Sequence, residues 1–600
     1  MKNGVLRIGG AAGFWGDSSL AVPQLLTYPE LDYLVFDYLA ETTMAILQRA
    51  RMKNPASGFA TDFVTAVIKP HLVECMKRGI RLIANAGGLN PLGCRDAILA
   101  AAREVGCWPK VAVVLGDDQL MSIETLRAEG VREMLQGTPL PPEVLSANAY
   151  LGAQPIAAAL AAGADIVITG RCVDSAVTLA AAAHSFGWDW REWNRLALGS
   201  LAGHLLECGP QATGGLYTDW EEVPNWANIG YPVVEIRADG SFDLTKPAGT
   251  GGLVCVGTVA EQMVYEIGDP ANYILPDVTC DFRGVQIENA GKDRVHVSAA
   301  RGRPPSAQYK VSATWQDGYQ INIMGVIRGI RARIKAQKTA DALIERTRGQ
   351  MAAGGFGDYS GVRVEMLGCE SHYGPHARQT ESRELVLRIA ARHADELALR
   401  FLQREAASAG TSMGPGTRGH FGGLADIQPV VKLYSFLIDK GTVPVEVQCG
   451  GSVQRMALAA EFGDTTEPEE VHVVAPASTA TPEELIEVPL QWLALARSGD
   501  KGNDSNIGVI ARADRYLPWL RAELTAERVR AYFAHLVEGP VERFDVPGIN
   551  AMNFVLHNAL GGGGTASLSS DPLGKAYAQM LLDMPLQVPR DLLTMAATKI

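Results

Sequence analysis

Short apolar runs alternate with longer helical patterns over residues 5–170, and this alternation constrains the fold more than any other feature. Each run holds four or five mostly aliphatic residues, the pattern of a strand buried on both faces of a parallel sheet. The predicted strands are 5–8, 33–36, 80–84, 111–115 and 165–168. Helical patterns separate them, so the sequence predicts an α/β region with a mostly parallel, Rossmann-like sheet.

Polar side chains and glycines follow the end of every predicted strand, where open parallel sheets bind their ligands. Carboxylates there can act as general acids or bases, and amide, guanidinium and glycine N–H groups can bind an oxyanion. The predicted catalytic carboxylates are Asp17, Glu41, Asp117 and Asp174. The predicted substrate-binding residues are Ser18, Asn85, Gly87, Gly88, Asn90 and Arg171. We expect these residues and Asp37 to converge on one crevice, with helix N-capping as the alternative role for about half of them.

The glycine-rich loop after the first strand does not predict a dinucleotide site. Its run Gly-Gly-Ala-Ala-Gly-Phe-Trp-Gly lacks the G-x-G-x-x-G spacing. Trp15 would also crowd a pyrophosphate turn. NAD is therefore not the predicted cofactor.

A second candidate segment runs from residue 203 to residue 215. If residues 200–208 are helical, His204 and Cys208 share a face and Glu207 lies beside them. A thiol beside an imidazole can be an activated nucleophile, and an inert buried cysteine is the alternative. The glycine-containing run that follows predicts further substrate-binding residues at Gln211, Thr213 and Gly214.

Two histidines, His372 and His376, are candidate metal ligands because they lie close together in the sequence. The intervening Gly374 and Pro375 break any helix that would place the imidazoles on one face, and no nearby Cys or His completes a ligand set. No metal site is predicted. The glycine-rich loop at 414–423 carries Arg418, which suits an anionic or thioester ligand, with a structural Ω-loop as the alternative.

The pattern changes to short strands and turns near residue 225, which predicts an α+β second lobe over about 225–475 after an α/β lobe over about 1–224. Together they form the predicted main domain, 1–475. A small, polar, proline-bounded stretch predicts a linker at 476–487. Residues 488–600 then predict a small α+β domain with helices on one face of an antiparallel sheet.

An unusually polar segment lies in this C-terminal domain between predicted strands at 488–496 and 506–511. It predicts a turn with a catalytic Asp500 and with substrate-binding residues Arg497, Ser498, Lys501 and Asn503. A solvent-facing hairpin loop is the alternative. We expect the segment to close over the crevice of the N-terminal region, in the same chain or a neighbouring subunit.

Composition limits the function classes. Six hundred residues exceed a single core, so several domains are expected. The net charge of -12 argues against nucleic acid or an anionic membrane as the main partner. No apolar run approaches the roughly 18 residues of a membrane span, and the start lacks a secretory signal, so a cytoplasmic location is expected. The nine cysteines are scattered without a Cys-x-x-Cys pair and are expected to be reduced. Soluble proteins are commonly symmetric oligomers, so a homo-oligomer is expected.

Three stretches together resemble the acyclic terpene utilisation protein A (AtuA) family. They are the opening run at 8–18, Cys-Gly-Pro-Gln-Ala-Thr-Gly-Gly at 208–215 and Arg-Ser-Gly-Asp-Lys-Gly-Asn at 497–503. The resemblance covers nearly the whole chain and implies a ferredoxin-like fold for the C-terminal domain. It also implies a role in the catabolism of acyclic terpenes such as citronellol and geraniol, whose intermediates are CoA thioesters. No cofactor is predicted, although the substrate can be CoA-linked.

Two functions from different classes follow from the residues and this resemblance. The leading one is a lyase or hydratase that acts on a branched acyl-CoA or related carboxylic acid, with carboxylates for acid–base work and cations for an enolate oxygen. The alternative is a non-catalytic subunit that binds an acyl-CoA or a partner enzyme.

Overall fold

The structure is a computed structural model that describes residues 4–418, 423–457, 462–463 and 485–593. Residues 476–484 of the predicted linker and residues 419–422 of the third glycine-rich loop lie outside the described residues. Among those described, no helix combines the length and the apolar character needed to cross a membrane.

The first half of the chain alternates strands and helices. Its strands are β1 (Leu6–Gly10), β2 (Tyr33–Phe36), β3 (Arg81–Ala84), β4 (Val111–Leu115), β5 (Ser146–Ala149), β6 (Ile166–Thr169), β7 (Val233–Ile236), β8 (Phe242–Thr245), β9 (Tyr273–Ile274), β10 (Thr279–Asp281), β11 (Gln286–Gly291), β12 (Arg294–Ser298) and β13 (Arg301–Arg303). Its helices are α1 (Ala21–Leu25), α2 (Glu41–Lys53), α3 (Lys69–Arg78), α4 (Pro91–Glu104), α5 (Ile123–Ala128), α6 (Gln154–Ala161), α7 (Ala176–Phe186), α8 (Trp193–Glu207) and α9 (Val256–Met263).

The second half is richer in long strands. Its strands are β14 (Gln308–Arg328), β15 (Gly361–Leu367), β16 (Glu384–His393), β17 (Thr417–Arg418), β18 (Ile427–Asp439), β19 (Glu446–Cys449), β20 (Ser452–Arg455), β21 (Leu485–Pro489), β22 (Ala494–Lys501), β23 (Asp504–Ala511), β24 (Val541–Val546), β25 (Ala551–Leu556) and β26 (Pro585–Pro589). Its helices are α10 (Ala332–Ala353), α11 (Glu396–Ser412), α12 (Leu517–Glu523), α13 (Ala526–Tyr532), α14 (Tyr577–Leu582) and α15 (Arg590–Leu593).

A mixed sheet of eleven strands forms the centre, in the order β11-β12-β8-β7-β1-β2-β3-β6-β4-β19-β20. Strands β1, β2, β3, β6 and β4 run parallel to one another and correspond to the five predicted strands. Antiparallel strands extend this block on both sides, where β7 pairs with β1 and β19 pairs with β4. The fold is therefore mixed α/β, and the prediction of a mostly parallel sheet is wrong in that respect.

The central sheet also crosses the predicted division at residue 224, because β7, β8, β11 and β12 come from beyond it. The apolar run 253–256 leads into α9. Val254 of this run is buried in the main core together with Val259, Ala260 and Met263 of α9.

A second sheet is organised by the 21-residue strand β14. It pairs with β16, β17, β18 and β5, all in antiparallel orientation. The pairing with β5 continues past the strand end, where Tyr150 N–H donates to the carbonyl oxygen of Lys310 at 2.9 Å. This contact brings the start of β14 to the parallel block of the central sheet.

The C-terminal part forms an antiparallel sheet in the order β22-β23-β25-β24. Side chains alternate along β22, so Ala494 and Ala496 pack with the helices of this part while Leu495 joins the main core. The opposite face of the sheet docks on the segment after α9, where Asn506 Nδ2 donates to the carbonyl oxygen of Val264 at 2.7 Å. The sheet thus has helices on one face and the rest of the chain on the other.

The polar segment lies mostly within strands, which corrects the prediction of a long turn. Lys501 pairs with Asp504, so only Gly502 and Asn503 connect β22 to β23. Gly502 has φ +68°, as required at the first central position of a type II′ turn. Arg497 to Asp500 are therefore held in register by the ladder.

Candidate functional site

A buried carboxylate and a buried amide lie where the parallel strands β2 and β3 end. Asn85 Nδ2 donates to Asp37 Oδ1 at 2.5 Å, and Asn85 Oδ1 accepts from the Tyr38 N–H at 2.7 Å. Burial raises the pKa of Asp37 well above its usual range, and the carboxylate of Asp174 adds to the effect. Asn85 therefore fixes an acidic group at the floor of the crevice.

Arg171 extends the crevice from the end of β6. Its Nη1 donates to Asp174 Oδ1 at 2.6 Å, and its guanidinium carbon lies 4.2 Å from the centroid of the Tyr150 ring. Asp174 keeps 36% of its side-chain surface exposed, although Arg171 is almost wholly buried. The cation is thus paired on one side and covered by an aromatic ring on the other.

Asp117 is a buried carboxylate that hydrogen-bonds to the backbone of Arg171. Its Oδ2 accepts from the Arg171 backbone N–H and from Asn148 Nδ2, both at 2.8 Å. Burial raises its pKa to about 6. Asp117 is placed to position the loop after β6, and the close approach requires Gly170, where a Cβ atom would lie 2.4 Å from the carboxylate.

Glu41 and Lys310 form the accessible part of the crevice. Lys310 Nζ lies 3.9 Å from Glu41 Oε1 and 5.0 Å from the centroid of the Tyr150 ring, whose hydroxyl donates to Glu41. Burial opposes ionisation of Glu41, but Lys310, Arg171 and the Tyr150 hydrogen bond outweigh it and lower its pKa to about 2. Burial also lowers the pKa of Lys310.

Water nevertheless reaches both groups. The side chains of Glu41 and Lys310 are 30% and 39% exposed. Charged groups that are surrounded by protein and still open to solvent line a cleft, where a ligand can displace the water.

The C-terminal part contributes a second charged group to this region. Lys575 Nζ donates to Glu266 Oε1 at 2.8 Å and to Asp500 Oδ1 at 3.1 Å. Lys501 Nζ donates to the Glu266 carbonyl oxygen at 2.6 Å and lies 5.4 Å from the centroid of the Tyr273 ring. Burial and the Glu266 carboxylate raise the pKa of Asp500 to about 6.

The polar segment is therefore not an isolated hairpin. Lys501 contacts Glu266 in the segment after α9 directly, and Asp500 is linked to Glu266 through Lys575. A glycine-rich loop of the C-terminal part does reach α2, since a Cβ atom at Gly564 would lie 3.5 Å from Thr42 Oγ1. The C-terminal part thus closes one side of the crevice within the same chain.

Arg497 holds the two parts of the chain together. Its Nη2 donates to Gln211 Oε1 at 2.6 Å, and its Nη1 donates to the Leu216 carbonyl oxygen at 2.5 Å. Its Nη1 also lies 3.6 Å from Glu261 Oε2 on α9, and both side chains are buried. Arg497 and Gln211 are thus engaged in the interface between the two parts.

His204 and Glu207 pair at the end of α8, the helix expected over 200–208. His204 Nδ1 lies 2.9 Å from Glu207 Oε1, and Nε2 lies 3.2 Å from the Met263 carbonyl oxygen. Burial, followed by the carboxylates of Glu207 and Glu266, raises the pKa of Cys208 well above its usual range. This environment keeps the thiol protonated and opposes the nucleophile interpretation of Cys208.

Several predicted residues are instead occupied in ordering loops. Asp17 accepts from the N–H groups of Gly13 at 2.9 Å and Ser18 at 2.6 Å and from the Tyr231 hydroxyl at 2.6 Å. Ser18 Oγ accepts from the Leu20 N–H at 3.2 Å. Both residues shape the loop after β1.

Asn90, Gly87 and Gly88 organise the loop after β3. Asn90 Oδ1 caps α4 by accepting from the Gly93 N–H at 3.0 Å, the N-capping alternative. A Cβ atom at Gly87 would lie 2.6 Å from the Thr169 carbonyl oxygen, and Gly88 has φ +52°. These glycines are explained by close packing and backbone conformation.

Thr213, Gly214, Ser498 and Asn503 are also satisfied by their surroundings. Thr213 Oγ1 donates to the Gly230 carbonyl oxygen at 2.5 Å, and Gly214 ends a short helix with φ +105°. Ser498 Oγ donates to the Gly574 carbonyl oxygen at 2.7 Å. Asn503 Oδ1 accepts from the Gly562 N–H at 2.6 Å, which fixes the tetraglycine loop.

Arg418 lies far from the crevice. It pairs with Val326 on β14, sixteen positions along that strand from Lys310. At about 3.3 Å per residue this corresponds to about 50 Å along the strand. Arg418 is therefore outside the site formed by this chain.

Sequence reasoning missed Tyr150, Lys310, Glu266 and Lys575. None belongs to a local motif, and each reaches the crevice through a contact between distant segments. The pairing of β5 with β14 brings Tyr150 to Lys310, and the docking of the C-terminal part brings Lys575 to Glu266.

The two histidines of the metal hypothesis serve an interface. His376 Nε2 lies 2.8 Å from the Tyr532 carbonyl oxygen and its ring stacks on Tyr532, while the His372 carbonyl oxygen lies 3.1 Å from His535 Nε2. Over the described ranges, no three His, Cys, Asp or Glu side chains are grouped to hold a metal ion.

Comparison with known families agrees with the resemblance found in the sequence. A model of the family described as "Acyclic terpene utilisation family protein AtuA" matches residues 6–449. A model described as "AtuA ferredoxin-like domain" matches residues 488–587. No curated protein and no solved structure matches the chain.

Proposed function

The chain belongs to the acyclic terpene utilisation AtuA family, and from this premise we propose that it is a lyase or hydratase acting on a branched acyl-CoA thioester or a related carboxylic acid. The proposed pathway is the catabolism of acyclic terpenes, in keeping with the family description. The crevice around Glu41 is the proposed active site.

The arrangement of Glu41 between Lys310 and Arg171 is the observation that carries the proposal. Lyases and hydratases that act next to a thioester carbonyl move a proton and develop negative charge on the carbonyl oxygen. Glu41 is an ionised carboxylate that water can reach, and Lys310 lies 3.9 Å away. One crevice thus holds both a base and a cation.

The residues divide into separate roles. Glu41 acts as the general base, and Lys310 and Arg171 stabilise the developing oxyanion. Asp174 pairs with Arg171, and Asp117 positions its backbone. Lys501 faces the crevice from the C-terminal part, where its ammonium group attracts an anionic portion of the ligand.

One observation favours the non-catalytic alternative. Most of the charged groups are already paired within the protein, as Arg171 is with Asp174 and Lys575 with Glu266 and Asp500. A subunit that only holds an acyl-CoA needs no free acid or base.

Calorimetric titration with free CoA, geranyl-CoA and isohexenylglutaryl-CoA, combined with mass spectrometry of the products, tests the proposal. Turnover of a thioester, lost in Glu41→Gln and kept in the surface control Glu384→Gln, would support it. Tight binding of a thioester without turnover of any of them would contradict it and favour the binding subunit.

A further inference from the structure

We propose that His204 and Glu207 form an acid–base dyad in which Glu207 exchanges a proton with the carbon next to the thioester carbonyl. The inference rests on the proposed function and adds a proton-transfer group that is separate from Glu41. It is drawn from the two contacts of the His204 ring and from the groups around Glu207.

The contacts of His204 fix which nitrogen titrates. The Met263 carbonyl oxygen can only accept a hydrogen bond, so Nε2, at 3.2 Å, carries a hydrogen. Nδ1 is then the nitrogen that gains or loses a proton, and it lies 2.9 Å from Glu207 Oε1. The dyad therefore holds one mobile proton between a ring nitrogen and a carboxylate oxygen.

The contact is close but not well aligned, because Nδ1 has no hydrogen bond of good geometry. Catalytic hydrogen bonds in ligand-free enzymes are often poorly aligned and tighten when the ligand binds. A small rotation of the Glu207 carboxylate would align the pair.

The dyad lies within electrostatic reach of the crevice, because Glu207 interacts with the charges of Asp37 and Asp174. The side chains of His204 and Glu207 are 1% and 8% exposed. The Tyr273 ring centroid lies 6.0 Å from that of His204 and also faces Lys501. The titratable groups whose charge reaches the dyad are Lys501, Tyr273, Asp37, Asp174, Cys208 and Glu266.

Charge favours an imidazolium beside a carboxylate. Burial alone would lower the pKa of His204, but the Glu207 carboxylate outweighs it and raises this pKa. Burial raises the pKa of Glu207 and brings it closer to neutral pH. Glu207 is therefore a stronger base than Glu41, whose pKa is about 2.

The step balances without a further reactant. The C–H bond next to the carbonyl breaks, its proton forms an O–H bond with Glu207, and its electron pair moves to the thioester oxygen as an enolate. His204 stays protonated, so the positive charge gained by the dyad offsets the enolate. Return of the proton reverses the step, as in the protonation of an enolate left by a lyase.

The charge state of the dyad can be measured without a substrate. Hydrogen exchange at C2 of each imidazole is followed by mass spectrometry at several pH values. The pH dependence of its rate gives the titration midpoint of His204 in the full chain. Removing the carboxylate in Glu207→Gln should lower that midpoint by about 1–3 pH units. His296, which pairs with Asp243, is the internal control and should not move. An unchanged His204 midpoint would overturn the dyad.

The role in proton transfer is tested with deuterium. A thioester that the wild-type protein converts is incubated in D2O, and deuterium next to the carbonyl is measured. His204→Gln keeps a donor for Met263 and removes Nδ1, and we expect it and Glu207→Gln to slow incorporation about 10²-fold or more. Thioester affinity should stay within about threefold, since the dyad acts on the reacting carbon alone. If Glu207→Gln does not fold, Glu207→Asp replaces it in the test. The shorter side chain moves the carboxylate away from the reacting carbon, so deuterium incorporation should again be slower.

The two claims fail differently. Wild-type turnover with full incorporation in His204→Gln or Glu207→Gln would overturn the dyad and leave the proposed function standing. Absence of turnover and of deuterium incorporation in the wild-type protein would overturn both.

Discussion

Lys310 Nζ lies 3.9 Å from Glu41 Oε1, although Lys310 lies near the start of the long strand β14 and Glu41 starts helix α2. The contact exists because β5 pairs with β14 and places Tyr150 between the two charges. A cation from the second sheet and a base from the start of α2 thus meet where the parallel strands end.

Neutralising Glu41 should abolish most of the turnover. Glu41→Gln keeps the size of the side chain and an acceptor for the Tyr150 hydroxyl, but it removes the base, so kcat should fall by about 10²–10⁴-fold. The measurement is the rate of product formation by mass spectrometry. Glu384→Gln, on an exposed strand end, is the matched control, and equal rates in both variants would contradict the assignment.

Asp117→Asn should change how stability depends on pH. The pKa of Asp117 rises from 3.8 unfolded to about 6 folded, so the native state binds more protons between these values and wild-type stability falls as pH rises through them. The full loss is about 3 kcal/mol. Asparagine is uncharged, like protonated Asp117, so it avoids this loss. The free energy of unfolding of the variant relative to wild type should therefore rise by about 3 kcal/mol between pH 4 and pH 7.

Urea unfolding of the two proteins at several pH values measures the difference. A difference between Asp117→Asn and wild type that does not change with pH would contradict the raised pKa.

Arg497→Met should weaken the attachment of the C-terminal part. The substitution leaves Glu261 buried without its cation, which costs about 3–5 kcal/mol. Arg512→Met, which breaks a more exposed pair with Asp219, should cost below about 1 kcal/mol. Equilibrium unfolding should show recovery of part of the loss in the double variant Arg497→Met/Glu261→Gln. Equal losses of unfolding free energy in Arg497→Met and Arg512→Met would contradict the role of the Arg497–Glu261 pair in holding the C-terminal part to the rest of the chain.

Gly508→Ala should strain the same interface by a steric route. A Cβ atom at this position would lie 2.0 Å from Val264 Cγ2, so we expect a loss of about 1–3 kcal/mol. Val264→Ala in the same chain should restore part of it, which a double-mutant cycle measures. Gly349→Ala, on an open face of α10, is the control and should be stabilising. A Gly508→Ala variant of wild-type stability would show that the sheet does not pack closely there.

The sequence predicted the parallel block well because its signal is local. Strands buried on both faces, such as Val111–Leu115, read as apolar runs wherever they occur. The antiparallel flanks were not predicted as part of the same sheet. The residues of a strand such as Val233–Ile236 do not indicate which other strand it pairs with, here β1.

The site was predicted in part for the same reason. Glu41, Asn85, Asp117, Arg171 and Asp174 follow strands of the parallel block, and topology alone brings them together. Lys310 and Lys575 come from distant segments, so their place in the crevice depends on pairing and docking that no local pattern encodes. Asn90 was predicted to bind substrate and Asp17 to act as a catalytic carboxylate, because the same residue types cap helices, order loops and form binding or catalytic sites.

The most direct test of the central claim is a crystal structure of the Glu41→Gln variant with a bound acyl-CoA thioester. The account predicts the thioester carbonyl within hydrogen-bonding distance of Lys310 or Arg171, with the acyl group in the crevice beside residue 41. A thioester bound with its carbonyl away from Arg171 and Lys310, for instance beside Arg418, would contradict it.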